Sequence, residues 1–289
     1  MGTRNLNLGD YNIAFVLLAG GQSARYQGNK LLSTHPVSSL PLIEHSVRTL
    51  IKARETYLTA PSASASRAVS TRACNQSTLP VQNQVTVVTG KWHSSIDAQL
   101  SQLPVNLVCN TAWKEGMASS IREGVKHVLS ISSQAALKDK TISEGTLKPD
   151  CQKEADWPTH VLFSLADLPC LVESDVLRLI EASQKNPNNI VCSQWHISRE
   201  KPGVANNSGA RLTVPAIFPK DMFNELLSLR GDVGAKPVIN KYLKAGRVTM
   251  VPTPNAQFDI DTPQDWSRIS RLFSLPSHNL AQSKKPKDA

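Results

Sequence analysis

The sequence is short of most features that assign a protein to a class early. Aromatic residues make up 5% of its 289 positions. No basic stripe is interleaved with them, which speaks against a nucleic-acid surface. There are 5 cysteines, at Cys74, Cys109, Cys151, Cys170 and Cys192. An odd number with no C-x-x-C pair indicates neither a disulfide framework nor a zinc site. Cys109, Cys170 and Cys192 sit in or beside apolar runs and are expected as small buried hydrophobes. No apolar run approaches membrane-spanning length, and the first residues hold no apolar signal region, so no membrane and a cytoplasmic setting are expected. Acidic residues are outnumbered, 23 Asp and Glu against 32 Lys and Arg, for a formal net charge of +9. Part of that charge lies in Lys284-Lys285-Pro286-Lys287, inside an expected disordered basic tail over 276–289. The rest suits an anionic ligand such as a nucleotide.

Two familiar phosphate signatures are missing as well, at the place where they would be sought. Ile13 to Leu18 is an apolar run suited to a buried parallel strand, and it ends at a glycine pair, Gly20-Gly21. The residues after it spell neither G-x-G-x-x-G nor a P-loop ending in Gly-Lys-Ser/Thr. They nevertheless include Ser23, Arg25, Gly28 and Lys30. Backbone N–H groups in a glycine turn, with two cations beyond it, can cradle a polyphosphate. A plain strand–turn connection is the competing reading.

Further along, Pro41 opens a helix whose stripe is Ile43, Val47, Leu50 and Ile51, with His45 off the stripe and expected at the surface. Strands are expected at Val85–Thr89, Val105–Val108, Val161–Phe163, Ile190–Cys192, Val214–Phe218 and Val248–Val251. Helices are expected at Ile96–Leu103, after Gly116 (Ile121, Val125, Val128 and Leu129 inward), at Glu173–Ser183 (Val176, Leu177 and Ile180 inward), over Lys220–Leu229, after Lys236 and around Ile269 and Leu272. The polar stretches Thr59–Gln84 and Ser132–Pro158 lack a period and are expected as irregular insertions. Strand–helix alternation with no internal repeat predicts one α/β domain over 1–275, doubly wound and three-layered, with a mostly parallel sheet.

Several residues then fall at strand ends, where such sheets place their sites. Asn110 closes one strand. Ser119 and Ser120 fall in the first turn of the next helix, where they either cap it or meet a ligand. Asp167 comes just past another strand and is either a turn residue before Pro169 or a ligand for Mg²⁺. Asp259 and Asp261 flank Ile260 and share a face of an extended chain. They either favour the positive end of a helix or add to a carboxylate grip on the same ion. That helix is expected to begin at Thr262 as N-cap, with Pro263 and Asp265 in its first turn.

Together these blocks resemble the MobA-like nucleotidyltransferase family, in particular its molybdenum cofactor cytidylyltransferase branch. Leu18-Ala-Gly-Gly-Gln-Ser-Ala-Arg-Tyr-Gln-Gly-Asn-Lys30 is similar to the family's opening loop. Asn110, Trp113, Gly116-Met117 and Ser119-Ser120 resemble the branch's second block, and Leu165-Ala-Asp-Leu-Pro169 its metal-binding A-D-x-P. Val214–Pro219, Gly231–Ala235 and Asp259–Asp265 resemble the remaining blocks in the same order. The resemblance implies a Rossmann-like fold and Mg²⁺-dependent transfer of a nucleotidyl group from an NTP, CTP favoured over GTP, with release of pyrophosphate. The implied acceptor is the terminal phosphate of molybdopterin-bound molybdenum, with a molybdoenzyme or its chaperone as a further partner. It also implies backbone contacts to the nucleotide from Leu18, Ala19, Gly20 and Gly21, with Ser23, Asn110, Ser119 and Ser120 around it. Arg25 and Lys30 would hold the triphosphate, and Asp167 with Asp261 or Asp259 the metal. Three features depart from the pattern. Gln27 stands where the family has a glycine, Gly20-Gly21 resembles the guanylyl-transferring branch, and the two insertions are extra. Guanylyl transfer, transfer to another phosphorylated acceptor such as a sugar phosphate, and a carrier without turnover are the alternatives.

Overall fold

A computed structural model describes residues 11–60, 84–142, 158–196 and 210–274. The expected tail and the interiors of both expected insertions lie outside them. Among the described residues seven strands form one sheet: β1 (Ile13–Ala19), β2 (Val85–Thr89), β3 (Val105–Cys109), β4 (His160–Leu165), β5 (Ile190–His196), β6 (Ala210–Pro219) and β7 (Val248–Pro252). Their order is β3-β2-β1-β4-β6-β5-β7. β1 pairs in parallel with β2 and β4, β2 with β3, and β5 with β7; β6 alone runs antiparallel, between β4 and β5. The mostly parallel α/β sheet inferred from the alternation is therefore the one observed.

The helices are α1 (Leu42–Thr59), α2 (His93–Leu100), α3 (Met117–Ile142), α4 (Glu173–Lys185), α5 (Phe223–Ser228), α6 (Lys236–Lys244) and α7 (Asp265–Ser274). They cover both faces, because the fully buried β1 sends alternate side chains to opposite sides. Ile13, Phe15 and Leu17 pack with Leu42, Ile43, Val47 and Leu50 of α1 and with Val176, Leu179 and Ile180 of α4. Ala14, Val16 and Leu18 pack with Ile121, Val125 and Val128 of α3 and with Leu226 of α5. Three layers result, with β1 and β4 innermost.

Several local expectations change. In α4 it is Leu179 that joins Val176 and Ile180 in the core, while Leu177 is only partly buried. α3 continues to Ile142, into the stretch expected as insertion. From Ser132 to Ile142 the sequence holds neither glycine nor proline, so loss of apolar period did not end the helix. Cys109 is exposed, because the last residue of β3 has left the covered part of the sheet, whereas Cys170 and Cys192 are buried. His45 is not a plain surface residue: its ring stacks on that of buried His35, with centroids 3.8 Å apart and planes 8° from parallel. Burial first, and then the neighbouring His35, lower its pKa to about 4.

Candidate functional site

The parallel strands all end on the same side, so the segments after β1, β2, β3 and β4 gather there. Two glycines let the first three approach one another. A Cβ on Gly90 would lie 2.4 Å from the carbonyl oxygen of Gly20, and a Cβ on Gly20 would lie 2.5 Å from Oγ of Ser120. Gly20 stands out in the sequence, whereas Gly90 carries no motif and its role is visible only in this contact.

The loop beyond Gly20 is built tightly. Its Ser23 and Gln27 adopt left-handed backbone, with φ of 54° and 58°. Gln27 thus holds the conformation for which a glycine is the usual residue, while Gly28 does not. Leu18 and Ala19 are buried strand residues, Gly21 is exposed, and Ser23 is partly buried. Tyr26 anchors the loop by accepting from the Trp266 indole N–H at 3.1 Å, and the Gln22 carbonyl accepts from the Trp92 indole at 3.3 Å. Asn29 then caps a short turn over Lys30–Leu32, its side chain accepting from Leu31 N.

That turn delivers Lys30 to the acidic segments. Its Nζ lies 2.6 Å from Oδ2 of Asp167 and 3.4 Å from Oδ1 of Asp261. Arg25, an exposed guanidinium, reaches Oδ2 of the same Asp261 at 2.7 Å. Burial acts against the charge on Lys30, but Asp167 and Asp261 outweigh it and hold its pKa above the ordinary lysine value. The two acidic segments are joined directly, Ile260 N donating to the Asp167 carbonyl at 3.0 Å. Asp259 presents much of its surface to solvent, yet the surrounding protein, then the charges of Asp261 and Asp167, raise its pKa. Asp265 reaches back, its Oδ2 accepting from Thr262 N at 2.8 Å and from Asp261 N at 3.0 Å, as the expected capping requires, but Pro263 and Gln264 form a turn and α7 itself starts only at Asp265.

The second block does something different. Asn110, Ser119 and Ser120 are buried and bonded to one another: Asn110 Nδ2 donates to Ser119 Oγ at 2.8 Å and to Ser120 Oγ at 3.0 Å. The start of α3 is also engaged by the protein itself. Met117 N donates to Asp232 Oδ1 at 3.2 Å and Ala118 N to the Gly231 carbonyl at 3.3 Å. Gly116, at φ 114°, permits this, since a Cβ there would fall 2.4 Å from Asp232 Cα. An ion pair that no sequence motif marks locks the contact. Arg122 Nη1 donates to Glu115 Oε1 and to the Leu229 carbonyl, both at 2.7 Å, and Gly231 N donates to the same carboxylate at 3.1 Å. Hydrogen bonds from Arg122 and then Gly231 lower the pKa of Glu115 to about 2.

The acidic segments suit a divalent cation. Oδ1 of Asp167 is buried and has no hydrogen-bond partner among the described residues, a costly state for a carboxylate oxygen unless a cation meets it. Three carboxylates share one ammonium in this region. Among the described residues no group of three or more His, Cys, Asp or Glu side chains converges on one metal position. Two carboxylates completed by phosphate oxygens and water are the pattern Mg²⁺ commonly takes.

Comparison with known proteins bears on this geometry. Residues 15–246 match the MobA-like NTP transferase domain. No curated protein matches the sequence. Among solved structures, Rv0371c from Mycobacterium tuberculosis H37Rv superposes with a TM-score of 0.53 at 17% identity, over 91% of this chain and 99% of that one. The same protein in complex with manganese gives 0.50 at 17% identity, over 89% and 97%. The nucleotidyl transferase Mth528 from Methanothermobacter thermautotroptrophicus gives 0.56 at 16% identity, over 91% and 98%. The 4-diphosphocytidyl-2C-methyl-D-erythritolsynthase from Anaerococcus prevotii DSM 20548 gives 0.56 at 14% identity, over 93% and 98%. At such identities the likeness is one of fold. No helix among the described residues is long and apolar enough to cross a membrane.

Proposed function

The chain belongs to the MobA-like NTP transferase family, and from that premise we propose that it moves a cytidylyl group from CTP to the terminal phosphate of molybdopterin-bound molybdenum. The observation that carries the reading is the convergence of Arg25 and Lys30 on Asp167 and Asp261 at the strand ends. An acceptor phosphate oxygen would bond to the α-phosphorus while the bridge to the β-phosphate breaks, and pyrophosphate leaves with that electron pair. The attacking oxygen is already anionic, so no side chain needs to take a proton. What the chain must supply is alignment and neutralisation of charge. Arg25 and Lys30 would hold the triphosphate, and the Gly20–Gly21 backbone would lie against the nucleotide. Asn110, Ser119 and Ser120 would shape the wall behind Gly20.

Asp167 with Asp261, and Asp259 beside them, would hold the divalent cation, which when bound supplies positive charge to the phosphates. The manganese complex of Rv0371c supports a divalent ion of this kind. The name of the Anaerococcus relative supports CTP, and so do the second and later sequence blocks. GTP is the second reading, favoured by Gly20. The left-handed turn kept at Gln27, where the family has a glycine, supports turnover over a carrier without it. A molybdoenzyme or its chaperone would receive the product.

The test is release of pyrophosphate from each NTP in the presence of Mg²⁺ and molybdopterin cofactor. Turnover with CTP alone is expected. Turnover with GTP, or only with a sugar phosphate as acceptor, would replace the proposal by one of its neighbours, and tight binding without turnover would make the protein a carrier.

A further inference from the structure

The segment carrying Asp167 is held from four directions. Ala166 N donates to the Leu18 carbonyl of β1 at 3.1 Å, and the Ala166 carbonyl accepts from Ser46 Oγ of α1 at 2.9 Å. The Asp167 carbonyl accepts from Ile260. The fourth hold comes from a residue that no motif marks: Nε2 of His35 lies 3.0 Å from the Pro169 carbonyl.

His35 is 2% exposed, and its hydrogen bonds fix its chemical form. Nδ1 faces two donors, the N–H groups of Val37 and Ser38, each at 3.2 Å. A nitrogen accepting those bonds carries no proton, so the ring is neutral, with its proton on Nε2 and directed at Pro169. Packing fixes its plane. The ring stacks on His45 at 3.8 Å and meets Trp266 edge-on at 6.0 Å. The Trp266 indole in turn donates to Tyr26 OH and to Ser33 Oγ, both at 3.1 Å. One imidazole therefore touches the segment after Asp167 and the helix after Asp261, from the stretch just beyond Lys30.

We propose that His35 is a positioning residue which sets the Asp167 carboxylate for a divalent cation, acting as a neutral imidazole that donates from Nε2. Groups bonded directly to a metal ligand commonly govern metal affinity by 10- to 100-fold (order of magnitude), and His35, acting further out through the Pro169 carbonyl, belongs at the low end of that range. The inference rests on the reading of Asp167 as a metal ligand, and the experiment separates the two. Mn²⁺ affinity is measured by paramagnetic resonance on the full chain and on Asp167→Asn, His35→Phe and His35→Gln, with folding of each checked by circular dichroism. Phenylalanine keeps the ring packing and removes the donor; glutamine keeps a donor near the position of Nε2. Mn²⁺ binding is expected to weaken by about tenfold in His35→Phe and to return to within about threefold of the parent in His35→Gln. Loss in Asp167→Asn with parental affinity in His35→Phe overturns the positioning role alone. Equal weakening in both His35 variants overturns the donor as its basis. Parental affinity in Asp167→Asn overturns the metal reading and the role with it. If His35→Phe does not fold, the comparison of His35→Gln with the parent decides: loss of more than about tenfold there counts against the proposal.

Discussion

The ammonium of Lys30 rests 2.6 Å from Oδ2 of Asp167, a cation from near the start of the chain held on a carboxylate from its middle. Both side chains are largely shielded, at 12% and 20% exposure, so the pair is screened less than a surface bridge. A divalent ion on the partnerless Oδ1 would share this carboxylate with the ammonium on Oδ2, and the two positive charges repel. A triphosphate that draws Lys30 toward itself would free the carboxylate for the metal.

Lys30→Ala should therefore act in opposite directions on two ligands. NTP binding is expected to weaken by about tenfold or more, the scale of one lost charge-assisted bond. Mn²⁺ binding without nucleotide should strengthen. Calorimetric titration of each ligand into the variant decides, and weaker Mn²⁺ binding would show that Lys30 supports the metal position instead of competing for it.

Gln27 sits at φ 58°, a conformation that costs an ordinary residue about 1 kcal/mol or more. Gln27→Gly should remove that strain and return part of it as unfolded-chain entropy, for a net gain of about 0.5 kcal/mol. Urea unfolding would register this as a higher midpoint at unchanged slope. A lower midpoint would mean that the Gln27 side chain contributes more than its backbone costs.

Gly20 and Ser120 form a fitted pair, since the Ser120 hydroxyl fills the place of a side chain on Gly20. Gly20→Ala should cost about 1–3 kcal/mol through overpacking and loss of the Asn110 bond. Adding Ser120→Ala to it should recover part of that loss. A thermodynamic cycle over the two changes is expected to show coupling, and strict additivity would refute the fit.

Acid should destabilise the protein through His160, the first residue of β4, which lies at 0% exposure. Burial lowers its pKa from 6.5 to about 4, against opposing contributions from the Pro187 carbonyl and Asp221. Unfolded chains then bind a proton that folded chains refuse between those two values. Stability is full above pH 6.5 and falls as pH drops toward 4, by about 3 kcal/mol for this group. Unfolding measured at pH 7 and at pH 4.5 should differ less in His160→Gln than in the parent. An equal difference would assign the acid response elsewhere.

Much of this arrangement could be read in the residues. Strand–helix alternation gave the parallel sheet, and glycine, arginine and lysine after β1 together with aspartates after β4 and β7 marked the side of the sheet where they meet. The direction of β6 could not be read, because apolar alternation is the same for a strand running either way. Gly90 and His35 were not legible, because what each does depends on a backbone carbonyl distant in sequence, that of Gly20 for one and of Pro169 for the other. Asn110, Ser119 and Ser120 were legible as a group, but their burial and the bonds that join them were not.

The Arg25–Asp261 and Lys30–Asp261 pairs also set an order of events during synthesis. The loop after β1 leaves the ribosome well before its carboxylate partner, which follows more than two hundred residues later. A nascent chain can form the β1–β2 pairing early, since domains fold as their segments become available. It cannot neutralise Arg25, brace Tyr26 against Trp266 or complete the acidic pair until α7 is out. Chains released before Asp261, even those with most of the sheet in place, would lack both pairs.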